Sequence, residues 1–260
     1  MAEPLLRTTE LCRHFGGLTA VNSVSLDFHR GTVHALLGPN GAGKSTFINL
    51  LSGDLPPSSG EISLRGRPIE GATPEAIARQ GVGRSYQRTN IFPALSVYEN
   101  CRLAAQSRRP RAWRIFSRAD GCAATRRKTE EVLALAGLEH ASGRPAAILS
   151  HGEQRQLEIA MALATEPEVL LLDEPLAGMG AMESARMVAL LRSLAPSHAI
   201  VLVEHDMDAV FAVADTITVM VNGTVLDSGA PVDIRNNPAV QEAYLGKEDG
   251  HEHEYGSTAH

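Results

Sequence analysis

Where a strand-like stretch at residues 32–38 gives way to a helix beginning near Lys44, the chain reads Gly38-Pro39-Asn40-Gly41-Ala42-Gly43-Lys44-Ser45. No other eight residues restrict the fold as tightly. Two glycines separated by four residues, then a lysine and a hydroxyl, between strand and helix, are the pattern of a phosphate-binding loop. Glycines let the backbone curl so that successive N–H groups point at phosphate oxygens, and the positive end of the helix dipole adds to the attraction. The pattern assigns Asn40, Gly41, Ala42 and Gly43 to the cradle and Lys44 to the β- and γ-phosphates. Ser45 is expected to ligate Mg²⁺, and Thr46 to support the α- or β-phosphate. Taken alone, the loop means that a nucleoside triphosphate binds, as in kinases, GTPases and motors.

A second stretch fits the same chemistry. Residues 169–172 are an apolar strand that runs into Asp173 and Glu174, the pair a magnesium nucleotide needs beside the loop strand. Asp173 closes the strand and is expected to hold Mg²⁺, usually through a water. Side chains alternate along a strand, so Glu174 points elsewhere and is placed to polarise an attacking water as general base.

The surrounding pattern is that of an α/β protein. Strand signals at 23–29, 32–38, 61–66 and 82–87 give way to helical periodicity from 97 to 165, with helices opened at Glu99-Asn100 and expected at 126–136 and 152–164. Strands at 169–172 and 199–203 then flank a helix at 182–194, the mark of a parallel sheet with helices on its faces. A core interrupted by a helical insert of about 80 residues, an ordinary size for a small domain, is the simplest organisation.

With 260 residues and 43% hydrophobic composition the chain is long enough for such a core. The formal net charge of −6 argues against a nucleic-acid binder, which needs an excess of Lys and Arg to neutralise phosphates. Arginines nevertheless crowd into residues 102–128, around Trp113 and Phe116, with Asp120 the only acid there. That excess suits lipid headgroups, an acidic partner or a solvated face. No apolar run approaches the roughly 20 residues of a membrane span, and Met1 to Pro4 lack a signal-peptide layout, so a cytoplasmic chain is expected. Cys12, Cys101 and Cys122 are far apart and lack metal-ligand spacing, so neither disulfide nor zinc is expected. Residues 247–260, with His251, His253 and His260, read as a solvated, mobile tail.

Leu149-Ser150-His151-Gly152-Glu153-Gln154-Arg155-Gln156 resembles the signature loop of ABC ATPases. With the two elements above, it identifies the chain as a member of that superfamily over about residues 5 to 246. Ser150, Gly152 and Glu153, at the start of a helix, would form a second phosphate site, which in the family completes the opposite subunit's ATP site. Ser150 and Gly152 alone also fit an ordinary helix cap. The resemblance implies that Phe15, ahead of the first strand pair, stacks on adenine. It makes Gln87 a sensor of Mg²⁺ and water that passes movement to the insert, and His205 the switch residue on the γ-phosphate. Three positions depart from the common pattern: His151 stands for Gly, Glu153 for Gln, and Gly180 for the acidic or amide residue that usually bridges the dimer.

Within the superfamily the chain resembles the LivG-type ATPases of branched-chain amino-acid importers, through residues 15–21, 204–207 and 234–246. That resemblance implies an ABC ATPase fold: a P-loop (RecA-like) core at 1–87 and 166–230 with an N-terminal antiparallel β subdomain, and a helical subdomain at 88–165. A C-terminal extension at 231–246, with Tyr244 and Leu245 turned inward on a helix at 241–245, and the tail at 247–260 complete it. It further implies ATP hydrolysis with Mg²⁺, coupled to uptake of branched-chain amino acids or related solutes. Partners would be permease subunits on the inner face of the membrane, a second copy or a sister ATPase, and indirectly an external solute-binding protein, but no nucleic acid. Urea or amide importers and lipid or lipopolysaccharide export motors share the chemical motifs; the ending at 231–246 favours the amino-acid importer.

Overall fold

A computed structural model describes residues 3–86, 90–107 and 120–245. Gln87, Trp113, Phe116, the arginines at 108–118, the side chains of Tyr244 and Leu245, and the tail lie outside that description.

Two sheets organise the chain. The first, in the order β2-β1-β4-β5, is antiparallel and built from β1 (Leu6–Phe15), β2 (Leu18–Phe28), β4 (Ser59–Leu64) and β5 (Arg67–Pro68). Val24, Leu26 and Phe28 of β2 turn inward while the residues between them face out, the alternation of a sheet covered on one side. The second sheet runs β10-β9-β3-β8-β7-β6. Its members are β3 (Thr32–Leu37), β6 (Val82–Arg84), β7 (Val169–Asp173), β8 (Ala199–Val203), β9 (Thr216–Val221) and β10 (Thr224–Gly229). All neighbours pair in parallel except β10, which joins β9 as a hairpin.

Strands β7 and β8 are buried throughout, and alternate residues serve two cores. Leu170, Leu172, Ile200 and Leu202 face the helices α3 (Val97–Ser107), α5 (His151–Ala164) and α6 (Ala181–Leu194). Val169, Leu171, Val201 and Val203 face the antiparallel sheet and α1 (Lys44–Leu51). The period of two thus makes the parallel sheet the wall between the cores. Helix α2 (Pro74–Gln80) leads into β6, and α4 (Asp120–Leu135) lies against α3 and α5. Helices α7 (Met207–Val213) and α8 (Pro231–Asn236) cover a third cluster around Val210, Ile217 and Ile234, and α9 (Pro238–Leu245) ends the described chain.

Several expectations are corrected. Phe15 closes β1 instead of preceding the first strand pair, because β1 exists by pairing with both β2 and β4 and not by its own mixed sequence. The acid strand is not beside the loop strand: β8 lies between β3 and β7, since parallel neighbours are joined by crossovers and need not be consecutive. Helix α4 begins at residue 120, ahead of the expected 126, and α9 begins at 238, ahead of 241.

The loop leading into α3 is held by one fully buried amide. Asn100 Oδ1 accepts the Phe92 N–H at 2.7 Å, while Nδ2 donates to Phe92 O at 3.1 Å and Ser96 O at 2.9 Å. Replacing it by alanine leaves the Phe92 N–H without its acceptor, whereas Phe92 O and Ser96 O keep the Leu95 and Asn100 N–H groups. Asn100→Ala is expected to cost about 2 kcal/mol, from the usual penalty for an unsatisfied buried polar group. Chemical denaturation should show the lower midpoint with an unchanged slope.

Candidate functional site

The loop between β3 and α1 owes its shape to two foreign carbonyls. A Cβ added at Gly38 would lie 2.1 Å from Met220 O on β9, and one at Gly43 2.2 Å from Ala20 O on β2. Gly43, the cap of α1, also has φ 98°. Only glycine combines that backbone with so close an approach. Gly223, in the β9–β10 turn, donates to Ala42 O at 3.0 Å and ties the loop from the other side. Lys44 is buried, and its Nζ donates back to Gly38 O at 2.6 Å and Pro39 O at 3.0 Å, so the ammonium lies over the loop it follows.

Around it opens a cleft of about 510 Å³ that brings together Phe15, Asn40, Gly41, Ala42, Gly43, Lys44, Ser45, Thr46 and Glu174. Phe15 stands 42% exposed at its rim, with the Arg13 guanidinium 4.6 Å from its ring centre. A flat exposed ring, a basic loop and an acid within one cleft suit a planar base joined to phosphates.

At the end of β7, Asp173 is 4% exposed. Burial raises its pKa, against the pull of Arg84, whose Nη2 lies 4.0 Å from Oδ2. Its Oδ1 is buried with no hydrogen-bond partner among the described residues. An orphaned carboxylate oxygen of this kind is costly unless something positive completes it, and a divalent cation held with Ser45 fits the donor set. Arg84 was not foreseen from sequence: it also bonds Asp54 Oδ2 at 2.5 Å, Asn49 Oδ1 at 2.5 Å and the Ser52 hydroxyl, joining β6 to the end of α1.

Glu174 leaves the strand through left-handed backbone at φ 51°, its N–H held by Val203 O at 2.9 Å. Its direction is therefore set by this turn and not by simple strand alternation. Left-handed backbone at a residue with a side chain is strained and persists only where its surroundings impose it. His205 Nδ1 lies 3.8 Å from Glu174 Oε1 and 3.8 Å from Glu204 Oε2. Glu204, also unforeseen as a site residue, is 1% exposed; it accepts Leu176 N–H at 2.7 Å and His205 N–H at 3.2 Å. Burial pushes its pKa up. It ties the turn after β7 to the turn after β8, which holds the pair Glu174 and His205 in register. The only sequence signal was an acid directly following an apolar strand.

Ser150, Gly152 and Glu153 lie apart from this cleft and line none of it. Ser150 caps α5 in a complete capping box: its Oγ accepts Glu153 N–H at 3.2 Å, and Glu153 Oε2 accepts Ser150 N–H at 2.8 Å. A glutamate or glutamine serves equally in such a box, which accounts for Glu153 where glutamine is commoner. Burial acts to raise the Glu153 pKa, but the Ser150 N–H, His140 and Arg144 outweigh it and hold the carboxyl below its ordinary value. Ser150 Oγ in turn donates to Glu183 Oε1 at 3.0 Å.

A glycine loop clamped between a parallel strand and a helix, facing an acid pair, defines a P-loop nucleoside-triphosphate-binding protein. The family model described as ABC transporter matches residues 21–177, and that described as branched-chain amino acid ATP-binding cassette transporter matches residues 228–250. The high-affinity branched-chain amino acid transport ATP-binding protein LivG of Salmonella typhimurium is 43% identical over 257 residues, covering 95% of this chain and all of that one. BraF of Pseudomonas aeruginosa, of the same description, is 38% identical over 95% of this chain and all of its own. Among solved structures, a nucleotide-free ATP-binding cassette from an ABC transporter superposes with TM-score 0.83 at 27% identity, covering 94% of this chain and 99% of that one. The chain belongs to the ABC transporter family of ATP-binding cassettes, in its LivG-type branched-chain amino-acid branch.

Gly43→Ala is expected to weaken ATP binding by at least about tenfold, because the added methyl cannot share space with Ala20 O and the loop must open. Fluorescent-nucleotide titration measures this. Wild-type affinity in that variant would mean that the loop shape is unimportant to binding.

Proposed function

We propose that the chain is the ATP-hydrolysing subunit of a membrane importer for branched-chain amino acids or related small solutes, working as a head-to-tail pair of cassettes. One observation carries this reading. The cleft around Lys44 contains a loop, an aromatic and an acid but no signature residue, whereas Ser150 caps a helix elsewhere on the surface. A second cassette supplying its own Ser150 would close the cleft over the phosphates.

In this reading Phe15 stacks on adenine, and the N–H groups of Asn40 to Gly43 cradle the phosphates. Lys44 exchanges its two carbonyl partners for the β- and γ-phosphates, and Thr46 supports the α- or β-phosphate. Ser45 and Asp173, with Gln87, would hold Mg²⁺, which when bound neutralises charge on the phosphates. Glu174 takes the proton of the attacking water. His205, with Nδ1 3.8 Å from Glu174 Oε1, contacts the γ-phosphate. The partner's capped helix, through Ser150 and Gly152, meets the phosphates from the opposite face, with Glu153 beside them bracing the cap.

A groove of about 300 Å³ between core and helical region, lined by Arg84, Tyr86, Asn90, Ala104 and Met161, offers room for a short cytoplasmic helix of the permease. Tyr86, in this lining, is partly exposed. Among the described residues no helix is long and apolar enough to cross a membrane, consistent with a subunit held peripherally on the inner face by its permease. The working pair is two copies of this chain or one copy with a sister ATPase. The solute reading is supported by the C-terminal match at 228–250 and by the named activity of the relatives.

Glu174→Gln is expected to lower kcat by about 10²- to 10⁴-fold, the usual share of a general base, while stabilising an ATP-bound pair. Phosphate release and light scattering with Mg-ATP read both effects. Turnover near wild type would remove Glu174 from its role. Loss of leucine uptake in cells lacking the chain tests the solute; uptake left intact would redirect the assignment to another small solute.

A further inference from the structure

The departure at residue 180 has a structural counterpart three residues on. Helix α6 is capped by Gly180, whose backbone (φ −70°, ψ 163°) is open to any residue, and nothing lies within 4 Å of a Cβ built there. Neither the backbone nor crowding requires glycine. The cap has no side-chain hydrogen bond, so Glu183, at the third helical position, has no side chain with which to complete a capping box in its own helix. It reaches across to the cap of α5 instead. Its Oε1 accepts the Ser150 hydroxyl at 3.0 Å, and its carboxyl group fills the space beside Gly152, where an added Cβ would sit 2.7 Å from Cδ and 2.7 Å from Oε1.

A serine hydroxyl has one proton to give. One lone pair of Ser150 Oγ already serves Glu153 N–H, and its proton is spent on Glu183. A phosphate brought by a partner cassette needs that same proton. It is also negative, so it cannot share the hydroxyl with an ionised carboxylate without repulsion. We propose that Glu183 is a positioning residue that holds the Ser150 proton in the open subunit and yields it only to partner-bound ATP, thereby setting the ATP concentration at which two cassettes close. This rests on the sandwich reading above. Glu183 is only partly buried, so its carboxylate has solvent to move into when displaced. The arrangement biases an open–closed equilibrium by a differential contact, which shifts apparent affinity without altering the chemical step.

The test is ATPase rate against Mg-ATP concentration in the transporter purified with its membrane subunits. Glu183→Ala is expected to lower half-saturating ATP about tenfold with kcat changed less than about twofold, in line with one charge-assisted hydrogen bond. Glu183→Gln keeps the shape but is a weaker, neutral acceptor, and is expected to fall between, about threefold lower. In a Ser150→Ala background, removing Glu183 should move half-saturation by less than about twofold, because the contested proton is gone. If the alanine variant does not fold, the glutamine variant decides by the same criterion. Unchanged or raised half-saturation, or an equal shift without Ser150, would overturn the proposal. Lys44→Ala serves as the separate control: if that complex hydrolysed ATP like wild type, the sandwich reading itself would fail.

Discussion

Two backbone carbonyls, Ala20 O on β2 and Met220 O on β9, press on the glycines of the loop between β3 and α1, and the site depends on that clamp. Through it the antiparallel sheet and the far side of the parallel sheet both bear on the same eight residues. The loop cannot relax into an ordinary turn while those strands are in place. Its shape is thus maintained by hydrogen bonding and burial distributed over two sheets, at backbone angles and approaches that glycine allows.

The same logic governs the acids. Asp173 and Glu174 end a strand that is not adjacent to the loop strand; β8 separates them and contributes its own terminus, Glu204 and His205. The loop, the two acids and His205 are therefore set by the ends of three parallel strands, which in open α/β sheets is where ligand crevices form. Buried Glu204 keeps two of these ends together, at the cost of desolvating a carboxylate that two N–H groups then satisfy. Asp173 is the contrasting case, a buried oxygen left without such a donor among the described residues.

The Ser150 cap shows how one local device can serve two ends. As a capping box it terminates α5 like any other helix, so sequence alone left it ambiguous between structure and function. It lies outside the Lys44 cleft and its hydroxyl is tied to Glu183, so the cap is also joined to the start of α6.

Much of this was legible without a structure, because some requirements are local. The phosphate loop, the acid-ended strand and the helix expected at 182–194, found at Ala181–Leu194, each follow from spacing and side-chain chemistry over fewer than fifteen residues. What could not be read were relations between distant segments. Strand β1 is held by its neighbours on both sides and not by its own alternation, and the placement of β8 between β3 and β7 is a matter of crossover topology. Arg84 and Glu204 gain their roles only by meeting Asp173, Leu176 and His205 in space. Sequence determined which groups the protein has for phosphate chemistry. Tertiary structure decided which of them meet, because such contacts depend on long-range pairing and burial that no local pattern encodes.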